Sequence, residues 1–282
     1  MSFVARIAEC SVFDPGRYLP FRVDGVEVGL VRRDFAEKVK DFSSVFAISD
    51  REVGLQPDLV GFERRTAAVE EALRRLNQRG DIAGWRNEPY PVGVSYGAPP
   101  LFNLERAAVP MFGVRGYGVH LNGFVRDDAA IKMWIGRRSL DKPTAPGKLD
   151  QIVAGGQPAG ISLRDNVLKE SAEEADIPPA MAMRAVPVSA ITYCTERPDG
   201  LRRDVIFVYD LALPATFVPR NTDGEIAEFY LWPIERVIDT VRDTDDFKYN
   251  CALVVIDFLI RHGLIPPDHP DYLNLIYGLR SL

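Results

Sequence analysis

Apolar positions recur along the chain with two different periods, and the change from one period to the other separates the expected elements. Apolar residues at every second position predict strands, and apolar residues at helical spacing predict helices. Residues 23–32 are typical of a hairpin that turns at Asp24-Gly25. Further strands are expected at 116–124, 130–137, 186–194, 204–211 and 229–232, and helices at 63–79, 163–175, 247–261 and 272–279.

Turn residues divide these elements into two groups. Turns are predicted at Arg126-Asp127-Asp128 and at Pro198-Asp199-Gly200. Residues 86–100 are rich in Pro and Gly, which is typical of a linker or a long surface loop. We therefore expect a smaller α+β domain over residues 1–98, followed over residues 99–282 by a mixed β-sheet flanked by helices, an α/β sandwich.

Composition narrows the class of protein. The 282 residues carry 34 Lys and Arg against 40 Asp and Glu, a net charge of −6, which argues against nonspecific binding to nucleic acid or to an anionic membrane. Three distant cysteines predict neither a disulfide framework nor a zinc site. The longest apolar stretch is too short to cross a bilayer, and no early basic segment precedes an apolar run, so we expect a cytoplasmic enzyme.

One expected helix carries a dense group of carboxylates. Glu170, Glu173 and Glu174 stand at i, i+3 and i+4, so a helix places them on one face. Like charges at that spacing repel each other unless a cation lies among them. Hard oxygen ligands suit Mg²⁺ or Mn²⁺, whereas the alternative is a solvated acidic surface.

The residues before this helix favour the metal-binding alternative. Gly155-Gly156 and Gly160 form a glycine-rich loop that leads into the helix. Ser162 is placed to accept from backbone N–H groups of the first turn, and Asp165 to reach back to it, as in a capping box. An ordered loop joined to a capped acidic helix is more specific than three glutamates alone.

This stretch resembles the Nudix box, which runs Gly, five residues, Glu, seven residues, then Arg-Glu-apolar-any-Glu-Glu-any-Gly-apolar. With the first glycine at Gly155, five of the nine defined positions match, and the four that differ hold Ile161, Lys169, Ser171 and Asp176. The positions that hold metal in the family fall on Glu170, Glu173 and Glu174. The resemblance implies a Nudix fold and hydrolysis of a diphosphate linked to a second group.

Other segments resemble one Nudix subgroup, namely 149–156, 105–108, 210–214 and 223–225. Members of that subgroup carry an uncharacterised N-terminal domain, and some relatives are fused to thiamine pyrophosphokinase. The resemblance implies a substrate such as thiamine diphosphate, or its oxidised analogues, cleaved to the monophosphate. Nucleotide sugars, coenzyme A and dinucleoside polyphosphates also fit the box, because the box reads only the diphosphate.

The resemblance also implies roles for individual residues. Glu170 and Glu174 would ligate Mg²⁺ or Mn²⁺, with Glu173 ligating or holding a water. The general base that takes a proton from the attacking water would be Glu225, and Glu228 and Glu174 are the alternatives. Arg106, Lys132, Arg137 and Lys148 are candidate phosphate clamps beside Gly155 and Gly156, and Trp134, Tyr193 and Phe112 are candidate stacking rings.

Two other functions are weighed against hydrolysis. An isopentenyl-diphosphate isomerase would use a reactive cysteine, for which Cys194 is available, but His120, His262 and His269 match no ligand motif. A non-catalytic sensor would bind a diphosphate without cleaving it, and the departures at Ile161 and Lys169 are its support. A homodimer that takes a small-molecule diphosphate is the expected assembly.

Overall fold

The computed structural model describes residues 2–127 and 130–281. The N-terminal part begins with a short helix, after which strands and helices form a four-stranded sheet with one long helix. None of the helices in these residues combines the length and the apolar character that a membrane span needs. The bounds are α1 Phe3–Glu9, β1 Tyr18–Val23, β2 Val26–Arg32, α2 Arg33–Val39, β3 Phe46–Ile48, β4 Val53–Leu55 and α3 Phe62–Gln78.

The predicted linker contains part of a small hairpin. Strands β5 (Pro89–Val92) and β6 (Phe102–Glu105) pair antiparallel, so the prediction of a linker or loop over 86–100 is wrong for the residues of β5. Prolines at alternate positions of β5 fit an edge strand, because a proline there sacrifices no ladder hydrogen bond. A short helix, α4 (Val109–Phe112), then leads into the second part.

The second part is a mixed sheet with helices on both faces, as expected. Its strands run in the order β11-β12-β7-β8-β13, with β10 paired to β7 and β9 paired to β8. The strands are β7 Arg115–Asp127, β8 Ala130–Arg138, β9 Leu149–Asp150, β10 Val153–Gly156, β11 Val186–Arg197, β12 Gly200–Ala212 and β13 Ile226–Pro233, and the helices are α5 Leu163–Ala175, α6 Pro179–Ala182, α7 Ile234–Asp243, α8 Tyr249–Arg261 and α9 Tyr272–Gly278.

Three hydrophobic clusters hold these layers together. One lies between the sheet and α8, and it includes Phe3 and Ile7 of α1, so the first helix packs on the C-terminal part. A second fills the N-terminal sheet and continues to Val114. A third lies between the opposite face of the sheet and α5, where Val153 and Val167 meet. The division of the chain at residues 98 and 99 stays a prediction.

Most predicted elements are confirmed, and the differences lie at their ends. The hairpin at Asp24-Gly25 and helix α5 occur as predicted, with α5 at the predicted bounds of 163–175. Arg126 and Asp127, predicted to turn, continue β7, while Asp128 of the same predicted turn lies outside the described residues. Helix α7 was not predicted, although its strongly amphipathic sequence buries Ile234, Val237 and Val241.

Candidate active site

The start of helix α5 confirms the predicted cap. Ser162 Oγ accepts a hydrogen bond from Asp165 N at 3.1 Å, and Asp165 Oδ2 accepts one from the Ser162 hydroxyl at 2.6 Å. Gly160 in the preceding loop has φ +81°, a backbone conformation that favours glycine. The cap and the loop together fix where the helix begins relative to Gly155 and Gly156.

The end of α5 explains one departure from the family pattern, the aspartate at position 176. Asp176 closes the helix in the left-handed conformation, φ 52° and ψ 37°, and its N–H donates to the Ser171 carbonyl. Aspartate is one of the few non-glycine residues that visit this region, so it replaces the glycine of the pattern at small cost. Ser171 itself is fully buried, in the place of an apolar residue.

One face of α5 runs along the edge of β10. Among the described strands β10 pairs only with β7, so its other edge is open to the helix. Asn166 Nδ2 donates to the Gly156 carbonyl at 2.8 Å, and Glu174 Oε2 accepts from Ala154 N at 2.7 Å. Between them the Glu170 carboxyl lies against the α-carbon of Gly155, where a methyl group would overlap it. We call this side of α5, which bears Asn166 and the carboxylates of Glu170 and Glu174, the carboxylate face.

Glu173 lies on the outer side of the same helix. Its side chain is 47% exposed and its Oε2 accepts from Lys169 Nζ at 2.8 Å, while Lys169 also reaches Glu170 Oε1 at 3.3 Å. Lys169 occupies the position of the pattern's Arg and bridges the two carboxylates. The structure thus brings Glu170 and Glu174 together along β10 and leaves Glu173 at the rim.

Burial dominates the electrostatics of the carboxylate face. Glu174 is 3% exposed, and burial raises its pKa well above the ordinary value, with the charges of Asp150, Glu170 and Glu225 adding to the rise. Burial also raises the pKa of Glu170, although Lys169 opposes it. Among residues 2–127 and 130–281 no Lys or Arg forms an ion pair with Glu174, so the carboxylate depends on the single Ala154 N–H.

This donor set fits a divalent cation. An ionised carboxylate that is buried with one hydrogen bond and several carboxylate neighbours lowers the free energy of unfolding. A cation between the carboxylates would offset that loss of stability. Glu170 and Glu174 are the residues that would hold it, with Glu173 at the rim. Carboxylate oxygens are the ligands that Mg²⁺ and Mn²⁺ prefer.

Two loops bring a third carboxylate to the same place. Glu225 precedes β13, and its Oε2 accepts from Lys142, which lies in the loop between β8 and β9. Partial burial pushes the pKa of Glu225 upward, but Lys142, with Arg106 and Arg138, outweighs it and leaves the pKa below its ordinary value. Glu225 is therefore ionised at neutral pH beside a carboxylate, Glu174, that holds its proton more tightly.

Arg106, which directly follows β6, approaches Gly156 and the carboxylates from outside α5. Its Nη1 donates to Glu88 Oε2 at 2.7 Å, and its Nη2 would lie 3.4 Å from a methyl group on Gly156. Its positive charge acts to lower the pKa of both Glu170 and Glu225. Arg106 is the predicted clamp that the fold places nearest to the carboxylates.

The other predicted cations have partners elsewhere. Lys132 is exposed on β8, six residues before Arg138, which at about 3.3 Å per residue is roughly 20 Å along the strand. Arg137 Nε donates to the Tyr230 hydroxyl at 3.1 Å, and Lys148 Nζ donates to the Asp245 carbonyl at 2.6 Å. Glu228, the reserve base, accepts from the Tyr230 hydroxyl.

The suggested stacking rings belong to the cores. Trp134, Tyr193 and Phe112 are 7%, 1% and 0% exposed, so none of them presents a ring to a ligand. Cys194 is a half-buried strand residue, and burial raises its pKa, the reverse of what a reactive thiolate needs.

Sequence reasoning missed a buried ion pair behind the carboxylate face. Arg138 Nη1 donates to Asp150 Oδ2 at 2.7 Å, and the same guanidinium donates to the carbonyls of Thr144 and Ala145. It thereby ties the loop that carries Lys142 to the sheet. The sequence indicates this ion pair only through Arg138, a charged residue at the end of an apolar strand.

The side chains of His120, Asp150 and Cys251 lie close enough to share a metal, with their ligand atoms within 4.8 Å of one another. These residues do not fit one. Burial pushes the pKa of Asp150 upward, but Lys248 and Arg138 outweigh it and lower the pKa to about 2, so two cations already neutralise this carboxylate. Burial raises the pKa of Cys251 well above its ordinary value, and the thiol donates to Asp150 Oδ1.

We expect the metal-free protein to lose stability with rising pH through Glu174. Because its folded pKa lies above the reference value of 4.5, its contribution is fully present below about pH 4.5 and is lost as pH rises through the folded pKa. The slope is at most about 1.4 kcal/mol per pH unit for one proton. Unfolding by urea between pH 5 and pH 8 measures it, and millimolar Mg²⁺ should restore more stability at pH 8 than at pH 5.

Glu174→Gln is the control for this pH dependence, because burial also lowers the pKa of His120 to about 4 and raises the pKa of Glu170, and both shifts make stability depend on pH. The difference in unfolding free energy between the wild type and Glu174→Gln isolates the one carboxyl. Parallel pH profiles for the two proteins, with or without Mg²⁺, would contradict the raised pKa.

Comparison with known proteins identifies the family. Residues 2–116 match a domain of unknown function, DUF4743. The chain is 46% identical over 277 residues to Nudix hydrolase 20, chloroplastic, of Arabidopsis thaliana, covering 94% of this chain and 74% of the relative. It is 31% identical over 287 residues to an uncharacterised protein of Saccharomyces cerevisiae, covering 94% and 83% of the two chains.

Solved structures include the NUDIX domain of Shewanella oneidensis NrtR complexed with ADP ribose, at 17% identity and a TM-score of 0.42. That match covers 54% of this chain and 90% of the other. The Arabidopsis thaliana relative, aligned over 94% of this chain and 74% of its own length, carries the assignment. The chain therefore belongs to the Nudix hydrolase family.

Proposed function

We propose that this enzyme hydrolyses a diphosphate linkage in a small molecule with the help of Mg²⁺ or Mn²⁺, and that thiamine diphosphate or its oxidised analogues are the substrates. The products would be the monophosphate and phosphate. The observation that supports the chemistry is that the buried Glu174 feels the charges of Glu170 and Glu225, and that both of those carboxylates feel the positive charge of Arg106.

We assign cation binding to the carboxylates and phosphate binding to the arginine. Glu170 and Glu174 would hold the cation, and Glu173 would support it from the rim. When bound, the cation neutralises charge on the diphosphate and lowers the pKa of a bound water. Arg106 would bind a phosphate oxygen on the wall opposite the carboxylates, since charge-assisted hydrogen bonds to phosphate are the strong ones.

Glu225 is our candidate for the base. Lys142 leaves the pKa of Glu225 below its ordinary value, whereas burial raises the pKa of Glu174 well above its ordinary value. Glu225 can accept a proton once Lys142 gives up its hydrogen bond, and Lys142 would then be available to a phosphate oxygen. Gly155 and Gly156 would line the floor of the cleft, because neither carries a side chain that would fill it.

The thiamine substrate rests on the resemblance of four short segments to one subgroup. Other diphosphates satisfy the same carboxylate arrangement, so the second candidate is hydrolysis of a nucleoside-diphosphate derivative. A sensor that binds without cleaving is the remaining alternative. It is disfavoured because the chain is 46% identical to a relative named as a Nudix hydrolase.

The location and assembly of the enzyme stay predictions. We propose a cytoplasmic protein, although Nudix hydrolase 20 of Arabidopsis thaliana is named chloroplastic. We also propose a homodimer, which analytical ultracentrifugation at micromolar concentration would test directly.

Phosphate release tests the proposed function. Purified protein with Mg²⁺ is offered thiamine diphosphate, its oxidised analogues, ADP-ribose and other diphosphates, with metal-free protein as the control. We expect release from the thiamine compounds at a kcat/KM at least about tenfold above the others, a difference of about 1.4 kcal/mol in transition-state binding. Preference for another diphosphate would replace the substrate, and release from none would support the sensor.

A further inference from the structure

The hairpin of the DUF4743 domain is joined to the glycine-rich loop by a backbone hydrogen bond. Ala159 N, two residues before Ile161, donates to the Pro89 carbonyl of β5 at 2.8 Å. Next to that contact, Arg106 N donates to the Glu88 carbonyl at 2.9 Å, so the two ends of the hairpin are held together. A domain without assigned function therefore contacts the glycine-rich loop that leads into α5.

Tyr90 is the residue of β5 whose side chain reaches Gly156. Its ring lies beneath Arg106, 5.8 Å from the guanidinium carbon, and its hydroxyl oxygen lies so close to the α-carbon of Gly156 that a methyl group there would overlap it. The residue is only 5% exposed. Among residues 2–127 and 130–281 nothing forms a hydrogen bond with this hydroxyl, yet it is not one of the fully enclosed unpaired polar atoms.

Glu105 holds this wall in a fixed shape. Its carboxylate accepts from Arg86 N at 2.9 Å and from Glu88 N at 3.1 Å, and also from Ala107 N at 3.3 Å. The residue is 8% exposed. A buried carboxylate that organises the backbone on both sides of Tyr90 and Arg106 is typical of a binding wall that is formed before its ligand arrives.

We propose that Tyr90 is a substrate-binding residue whose hydroxyl donates a hydrogen bond to a phosphate oxygen held beside Gly156, so that the DUF4743 domain forms one wall of the active site. This inference rests on the proposed function, because it assigns Tyr90 to the same diphosphate that Arg106 binds.

The chemistry of a phenol suits this position. Burial raises the pKa of Tyr90, with Glu88 and Glu170 adding to the rise, so the hydroxyl stays a neutral donor. An anion such as phosphate is the acceptor that an unpaired neutral donor beside an arginine best accommodates. A neutral donor also adds no charge to a wall where Glu88 already pairs with Arg106.

Tyr90→Phe tests the inference, with Tyr18→Phe as the matched control. Tyr18 lies on β1 of the same domain, is likewise 5% exposed, and is not at the cleft. Calorimetry with inorganic diphosphate and Mg²⁺ measures Kd, and steady-state kinetics measures KM and kcat on the best substrate. We expect Tyr90→Phe to raise Kd and KM about tenfold, with a smaller change in kcat, and Tyr18→Phe to change neither.

A second pair of variants tests the contact itself. Gly156→Ala should displace the Tyr90 hydroxyl and weaken diphosphate binding, and Tyr90→Phe/Gly156→Ala should be no weaker than Gly156→Ala alone, because residues in contact are not additive. Full additivity, wild-type binding by Tyr90→Phe, or equal losses in Tyr90→Phe and Tyr18→Phe would each overturn the inference.

The Kd of inorganic diphosphate can be measured whether or not the protein hydrolyses any substrate. If the wild type hydrolyses no diphosphate, the proposed function fails, and the Kd of inorganic diphosphate still decides the role of Tyr90. If the wild type hydrolyses its substrate and Tyr90→Phe behaves like the wild type in Kd and KM, the proposed function stands and the inference about Tyr90 is wrong.

Discussion

Glu174→Gln is expected to lower kcat for diphosphate hydrolysis by about 10³. Glutamine has the same shape and keeps an oxygen for the Ala154 N–H, so the buried position should stay packed. The change removes the negative charge that would hold the cation. Because an ionised carboxylate is costly at a site that is 3% exposed, the metal-free variant should be at least as stable as the wild type.

Glu173→Gln is the matched control for that loss. Glu173 lies on the same helix but is half-exposed and paired with Lys169, so we expect a loss of about tenfold or less. Kinetics over a range of Mg²⁺ concentrations separate a weakened metal site from a lost catalytic group. If Glu174→Gln retained kcat within tenfold of the wild type, Glu174 would not be the central ligand.

Gly155→Ala is expected to lower kcat/KM by about 10² with little change in stability. The added methyl would overlap the Glu170 carboxyl, and a flexible side chain can move away at small cost to folding. A carboxylate moved by about 1 Å is enough to lower the rate by that factor. Thermal unfolding measured with phosphate release tests both halves of the prediction.

Gly160→Ala should lose stability and keep most of its activity, the reverse of Gly155→Ala. A methyl group there meets nothing within 4 Å, but φ is +81°, so the variant should lose about 1 kcal/mol of stability through backbone strain. Its carboxylates keep their places, so kcat/KM should fall much less than in Gly155→Ala. Wild-type kcat/KM in Gly155→Ala would show that Glu170 does not need its observed position.

Local sequence was a sufficient guide where a short-range rule decides the structure. The bounds of α5 followed from its cap at Ser162 and from the prolines after Ile177, and the hairpin followed from Asp24-Gly25. Local sequence misled where a long-range contact decides the structure. Residues of the predicted linker pair with β6, and Lys148 is held by Asp245, nearly a hundred residues later.

The sequence by itself determined an acidic helix with Glu170 and Glu174 on one face, because that spacing follows from the helical period. The proposed preference for a divalent cation follows from the ligand chemistry of carboxylates, and the Nudix box was identified by resemblance. Only the tertiary structure decided that Glu173 lies at the rim, that Glu225 is held by Lys142, and that Tyr90 and Arg106 lie against Gly156. The physical reason is distance along the chain. The contact of Lys142 with Glu225, and those of Tyr90 and Arg106 with Gly156, join residues tens of positions apart, and sheet pairing brings them together. The exposure of Glu173 depends instead on which side of α5 packs on β10.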